Sequence, residues 1–137
     1  MLGAPRALVV RGVEGDPELS IAMVTKVLEL RDDRITPLTL APKDVGLSLG
    51  TSRDMGGFPP EQRDKEALLL RRILHNQVQG GARDWVLFNA AMLLYAAGKE
   101  SSLSACVPRA RRALEDGTAA RKLDALSRQP IAAASRG

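Results

Sequence analysis

The spacing of apolar positions along the chain changes near Pro60. Before it they come in short runs. "RALVV", residues Arg6–Val10, stops two residues short of a glycine and reads as a buried strand. "AMVTKVLELR" (Ala22–Arg31) is rich in branched residues and is followed by "DDR" and "ITPLTL", so strand, tight turn and strand predict a β-hairpin. Pro37 has no amide proton to give, which puts the second hairpin strand at an edge or makes it irregular there. "APKDVGL" reads as one helical turn, and Gly46–Pro60 as a loop.

After Pro60 the spacing becomes helical. "PEQRDKEALLLRRILHNQ" has proline at its start, acids in its first turn, and an apolar set at Ala67, Leu70 and Leu74 with Leu69 and Ile73 beside it. "GG" at Gly80 and Gly81 closes this segment. "ARDWVLFNAAMLLYAAGK" is apolar on every face from Trp85 to Ala97 except at Asn89, so it predicts a helix buried in protein, too short to span a bilayer. "SSLSACVPRARRALEDG" predicts a third helix ending at Gly117, with Pro108 either bending it or marking a regular start near Val107. "TAARKLDALSR" is a short fourth helix, and the tail from residue 129 is expected to fray. Strands first and helices after imply layers of sheet and helix, and not an independent βαβ series.

Composition narrows this little. The chain has 137 residues, 45% of them hydrophobic and 26% charged, which is the composition of an ordinary globular domain. Aromatics are only 3%, so aliphatic residues must fill most of the core. A lone cysteine, Cys106, excludes an internal disulfide. No signal-type segment or membrane-length apolar run is present, and a cytoplasmic location is the expectation. Charge is more informative. Residues 1–98 carry twelve basic and twelve acidic side chains, so the net charge of +4 arises wholly from Lys99 onward. Arg111, Arg112, Arg121 and Lys122 in that segment fit either a nucleic-acid footprint or the wet face of surface helices.

The candidate chemistry lies in "VVRGVEGDPELS", where Glu14, Asp16 and Glu18 follow a strand. The stretch lacks G-x-G-x-x-G, and three carboxylates repel a bare phosphate. They meet a pyrophosphate only through a divalent cation, and magnesium suits that role because it takes one or two carboxylates plus phosphate oxygens. On an extended loop the alternate spacing would point all three to one side. A solvated acidic turn is the plainer reading. Elsewhere, Asn89 reads as a core amide tying the buried helix to a neighbouring loop, and Trp85, Tyr95 and Cys106 as core. His75 reads as a cation favoured at a helix end.

Two stretches carry a resemblance. In "GGARDWVLFNAAMLLYAAGK" and "SLSACVPRARRALEDGTAARKLDAL", Arg83, Asp84, Asn89, Ala90, Ala91, Tyr95, Gly98, Gly117, Ala119 and Leu123 stand as an Arg-Asp pair, Asn-Ala-Ala, Ala-Gly and a helix ending in Gly-x-Ala. Together with "ALVVRGVEGDPELS" and "LAPKDVGL", this resembles the C-terminal part of the anthranilate phosphoribosyltransferases. They belong to the glycosyl transferase family that also holds pyrimidine nucleoside phosphorylases. The resemblance implies transfer of a phosphoribosyl group from phosphoribosyl pyrophosphate to a nitrogen acceptor, with Mg2+ (magnesium) held by an Asp-Glu pair in the loop. Glu18 matches the Glu, Ser20 the following Ser and Gly15 the loop glycine. Pro17 stands in place of the Asp, Glu14 replaces an Asp and Arg11 a His, so the pair is halved, and Asp16 or Glu14 would have to compensate.

The resemblance also implies that Gly-Thr-Gly-Gly-Asp and Lys-His-Gly-Asn segments should precede Arg6, where this sequence has neither. "LGTSRDMGG" is no substitute. The resemblance implies an α/β domain portion over residues 1–128, part of a larger mixed sheet with a β-hairpin, covered by three to four C-terminal helices. The expectation is a transferase portion that is inactive alone. The alternatives are a binding module using the basic helices on nucleic acid or an acidic partner, and a chain whose exposed "RALVV" edge drives homo-oligomer formation.

Overall fold

The computed structural model describes residues 6–13, 15, 17–55 and 59–128. Glu14, Asp16 and the tail from residue 129 lie outside the described residues. Three strands, β1 (Arg6–Gly12), β2 (Thr25–Arg31) and β3 (Arg34–Leu40), pair antiparallel in the order β1-β2-β3. The hairpin and the partial sheet are as expected. The hairpin is closed by Asp32 and Asp33, both with positive φ (50° and 59°), the two-residue geometry whose twist matches that of the flanking strands. Pairing of Arg31 with Arg34 and of Val27 with Leu38 sets the register. β2 starts at Thr25, three residues later than its apolar run, because the Ala22 and Met23 amides bond to Ser20 Oγ (3.2 and 3.0 Å) instead of entering a ladder. Among the described residues β3 has only β2 as neighbour, the edge position that Pro37 requires.

Four helices follow: α1 (Arg63–Leu74), α2 (Gly81–Ala96), α3 (Leu103–Glu115) and α4 (Thr118–Ser127). Ser102 caps α3 by accepting the Ala105 amide at 3.2 Å. The helix then runs unbroken through Pro108 from Leu103, so it does not begin near Val107. Proline leaves the Ser104 carbonyl without its helical donor, and Ser104 is exposed, so water can take that bond.

One strand face packs on the helices. Strand alternation sends Leu8, Val10, Val27, Leu38 and Leu40 inward onto α2 and α3, where Leu19, Ile21, Phe88, Ala91, Met92, Cys106 and Val107 complete a buried cluster. A second cluster of Ile73, Leu87, Ala110 and Leu114 joins α1, α2 and α3. At one end of the sheet Arg6 stacks 4.7 Å from the Tyr95 ring centre and donates to the Tyr95 carbonyl at 2.5 Å. The Tyr95 hydroxyl donates to Glu29 at 2.9 Å, which fastens α2 to β1 and β2.

Among the described residues the opposite sheet face is bare. Val9 is 64% exposed, Leu28 47% and Ile35 69%. The expectation of a fully buried α2 also fails on one side, where Leu93 is 72% exposed. Its remaining faces carry the core. No helix among the described residues is long and apolar enough to cross a membrane.

Candidate functional site

The acidic loop leaves β1 through a tight turn. The Gly15 amide bonds the Gly12 carbonyl at 3.0 Å with φ of +98° at Gly15, so the chain is not extended at that residue. Glu14 and Asp16, two of the three proposed metal ligands, fall outside the described residues. Glu18, the third, is exposed and lines a cleft of about 610 Å³ with Pro17 beside it.

What fixes Glu18 is the next residue. Leu19 is buried, its amide donates to Asn89 Oδ1 at 2.9 Å, and its carbonyl accepts from Asn89 Nδ2 and Trp85 Nε1, each at 3.1 Å. Trp85 and Asn89 are one helical turn apart on α2, so their polar tips emerge side by side and grip a single peptide. Asn89 Nδ2 also donates to the Trp85 carbonyl at 3.1 Å. Asn89 thus does what its place on an apolar helix suggests. Trp85 is more than core: its indole N–H is the second jaw of the clamp. A residue four positions before Asn89 with a ring donor was the available signal. Ser20 continues the fixing by receiving two backbone amides through its hydroxyl, while its own amide donates to Thr25 Oγ1 at 2.9 Å.

The cleft runs between β1, α1 and α2. Leu69, Leu70 and Ile73 line it from α1, Trp85, Val86, Ala90 and Leu93 from α2, and Val10 from β1. Its size lies within the range of small-molecule sites, and its lining has the usual apolar character with few polar groups. Two further carboxylates reach it that the sequence did not single out, Asp54 and Glu66. Asp54 accepts from the Thr51 amide (2.7 Å) and hydroxyl (3.0 Å) and lies against the first residue of α2. A Cβ on Gly81 would come 2.4 Å from Asp54 Oδ2, so glycine there is what admits the carboxylate to the start of the helix. That end of the helix dipole favours negative charge. Preceding it, Gly80 adopts φ 86° and ψ −159°, a region open almost only to glycine.

Among the described residues no group of three or more His, Cys, Asp or Glu side chains is set to hold a metal. Glu18 is the one described carboxylate of the loop. A single carboxylate fits magnesium only where water and pyrophosphate oxygens supply the remaining ligands.

The other singled-out residues lie elsewhere. Val10 faces the cleft, so the pleat turns Arg11 to the opposite face. Arg83 is buried and reaches Glu115 at 3.4 Å, joining α2 to the end of α3. His75 caps α1, with Nε2 3.8 Å from Asp124 Oδ1 and Arg71 on the same carboxylate at 3.3 Å. Cys106 is fully buried, and burial pushes its thiol above the ordinary range, with Glu100 adding to the rise. Of the basic set, Arg121 is spent on the α3–α4 joint, donating to the Asp116 carbonyl (3.1 Å) and Thr118 Oγ1 (3.0 Å). Arg112 and Lys122 are exposed and Arg111 is half-buried.

A small antiparallel sheet, a largely apolar helix beneath it and a cleft bordered by Glu18 make an α/β domain. The chain belongs to the glycosyl transferase family, whose a/b domain it matches over residues 1–120. Within that family it is similar to proteins named anthranilate phosphoribosyltransferase. The one from Haloarcula marismortui is 41% identical over 125 residues, covering 91% of this chain and 37% of the relative. The one from Xanthomonas oryzae pv. oryzae is 44% identical over 124 residues, covering 90% and 35%. In three dimensions the Thermus thermophilus anthranilate phosphoribosyltransferase superposes with a TM-score of 0.75 at 35% identity, over 88% of this chain and 34% of that one. The Saccharomyces cerevisiae enzyme, solved with phosphoribosyl pyrophosphate and magnesium, shares the fold at 20% identity and a TM-score of 0.69. The chain therefore spans about a third of the length of these relatives.

Proposed function

We propose that this chain is the C-terminal portion of an anthranilate phosphoribosyltransferase-like enzyme. When completed by the remainder of the domain, it takes part in phosphoribosyl transfer from phosphoribosyl pyrophosphate to the nitrogen of an aromatic amine such as anthranilate. The observation that carries this reading is the clamp of Asn89 and Trp85 on Leu19, which holds the backbone next to Glu18 and directs the loop into the cleft. A carboxylate fixed through its neighbour's peptide loses little freedom when it meets a ligand, which is how positioning contributes to catalysis.

In the reaction a C–N bond forms at the sugar carbon as its bond to pyrophosphate breaks, and the amine nitrogen gives up a proton to solvent or to the departing pyrophosphate. Glu18 would hold magnesium, and bound magnesium would offset the charge of the departing pyrophosphate. Glu14 and Asp16 are the further ligand candidates. Pro17 occupies the place of the family's second carboxylate, so metal affinity should be lower than in a loop with the full Asp-Glu pair. The basic helices have no part in this chemistry.

The test is calorimetric titration of phosphoribosyl pyrophosphate with magnesium. The 137-residue chain alone should give no heat of binding. Mixed with the N-terminal part of a relative, it should bind, and Glu18→Gln should abolish that magnesium dependence. Magnesium-dependent binding by the chain alone, or binding by the mixture that Glu18→Gln leaves intact, would overturn the proposal.

A further inference from the structure

A second hollow lies on the helix-facing side of the sheet, between the strands, α2 and the start of α3. It measures about 170 Å³ and is bounded by Val27, Leu38 and Leu40 from the sheet and by Met92 and Leu103 from the helices. Met92 is the one residue it shares with the larger cleft, so the two are separate. Its origin is legible in the sequence. From Ala97 to Ser102 the connection between α2 and α3 offers no apolar side chain larger than alanine, and Leu103 is the one large apolar residue that the start of α3 brings to the wall. Protein interiors pack with few voids larger than a water molecule, so a gap of this size is uncommon. The wall carries three hydroxyl side chains and no charged one. Tyr95 gives its proton to Glu29 at 2.9 Å, and Ser102 accepts the Ala105 amide at 3.2 Å and meets Ser104 Oγ at 3.1 Å. Ser101 alone has its hydroxyl unengaged among the described residues, and it stands exposed at the mouth. A water inside would find fewer than the about two to four polar partners it needs, so the interior favours apolar matter.

We infer that this hollow is a binding site for a small neutral ring compound with a single hydrogen-bonding group, of which phenol is the simplest case. The ring fills the gap between Leu38, Leu40 and Leu103, and its polar group meets Ser101. Size sets one limit. A dry apolar cavity of about 150 Å³ holds one benzene. The 170 Å³ here therefore admits one ring with a small substituent and excludes two fused rings. Charge sets the other limit. No cation lines the hollow, so an aromatic carboxylate would lose its hydration without gaining a partner. An occupant bridges β3 to the connection between α2 and α3, and by binding only the folded state it stabilises the chain through mass action. The inference does not rest on the proposed transferase chemistry, whose carboxylate lies at the other cleft.

The experiment is methyl NMR of the 137-residue chain titrated with phenol, toluene, naphthalene and benzoate. Phenol and toluene should shift the methyl signals of Leu38, Leu40, Met92 and Leu103, and naphthalene and benzoate should not. Leu103→Phe fills the hollow from its own wall. It should weaken phenol and toluene at least tenfold and leave the thermal midpoint unchanged or higher. Ser101→Ala, at an exposed position, should weaken phenol at least threefold and leave toluene unchanged, which separates the polar contact from the apolar one. Absence of shifts with phenol and toluene, or shifts confined to Val86 and Leu93 in the larger cleft, would overturn the inference. So would binding of benzoate as tight as that of phenol, or a midpoint lowered by Leu103→Phe, which would mean that no space was there to fill. An equal loss of phenol and toluene in Ser101→Ala would also overturn the assigned ligand class.

Discussion

Replacing Asn89 by alanine tests the clamp that carries the functional reading. Asn89 makes three hydrogen bonds, and their losses are unequal. The Leu19 carbonyl would keep the Trp85 indole as donor, and the Trp85 carbonyl lies within α2. The Leu19 amide would have no replacement for Asn89 Oδ1 at 2.9 Å, in a residue only 1% exposed. An orphaned buried donor costs about 1–3 kcal/mol, and each of the other two bonds adds about 0.5–1.5 kcal/mol, so Asn89→Ala should destabilise the chain by roughly 2–6 kcal/mol. Trp85→Phe removes one donor from a carbonyl that still has another and should cost only about 0.5–1.5 kcal/mol. Urea unfolding with linear extrapolation measures both, and amide exchange at Leu19 locates the damage. The double variant should lose more than the sum, because the carbonyl then has no partner left. Equal costs for the two single variants, or a Leu19 amide as slow to exchange in Asn89→Ala as before, would refute the argument.

Three further outcomes follow from the geometry. Gly81→Ala brings a methyl group 2.4 Å from the Asp54 carboxylate and should cost about 1–3 kcal/mol; a shift in thermal midpoint checks this, and adding Asp54→Ala should recover part of the loss. Asp33→Gly removes a left-handed strain of about 1 kcal/mol at φ 59° and should raise the midpoint by a few degrees, an outcome that scanning calorimetry can deny. Cys106 and Tyr95 both have raised folded values, through burial first and then Glu100 and Glu29 respectively. The folded state therefore keeps protons that the unfolded state releases, so stability is full below the ordinary values of 9.0 and 10.0 and declines as pH rises past them. Urea midpoints should be flat in this respect from neutral pH up to that window and fall above it, and the fall should shrink in Tyr95→Phe.

The hairpin, the edge position of β3 and the buried face of α2 could all be read from local order: branched residues before and after Asp32-Asp33, proline within a strand, and an apolar run ended by Gly98. These are properties of neighbours along the chain, which is why they were legible. The role of Asn89 was legible too, since one polar residue on an apolar helix has to find a partner. The identity of that partner was not, because Leu19 lies seventy positions away. Asp54 and Glu66 were invisible for the same reason: each looks like an ordinary surface acid until the fold sets it beside the cleft. The bare side of α2 was misjudged because an apolar face announces that something covers it, and the described residues do not include the cover. The acidic loop was only partly readable, since its pattern was judged on an extended chain and the backbone turns at Gly15.

Trp85 is the one tryptophan in the chain, and its indole N–H is bonded to the peptide beside Glu18 while its ring borders the cleft. The protein thus contains its own optical reporter. Any change of polarity in the cleft, any loosening of the loop and any loss of the fold all alter the surroundings of a single fluorophore. Emission wavelength and quenching by iodide could separate these events without a label, in the isolated chain and in any assembly it enters.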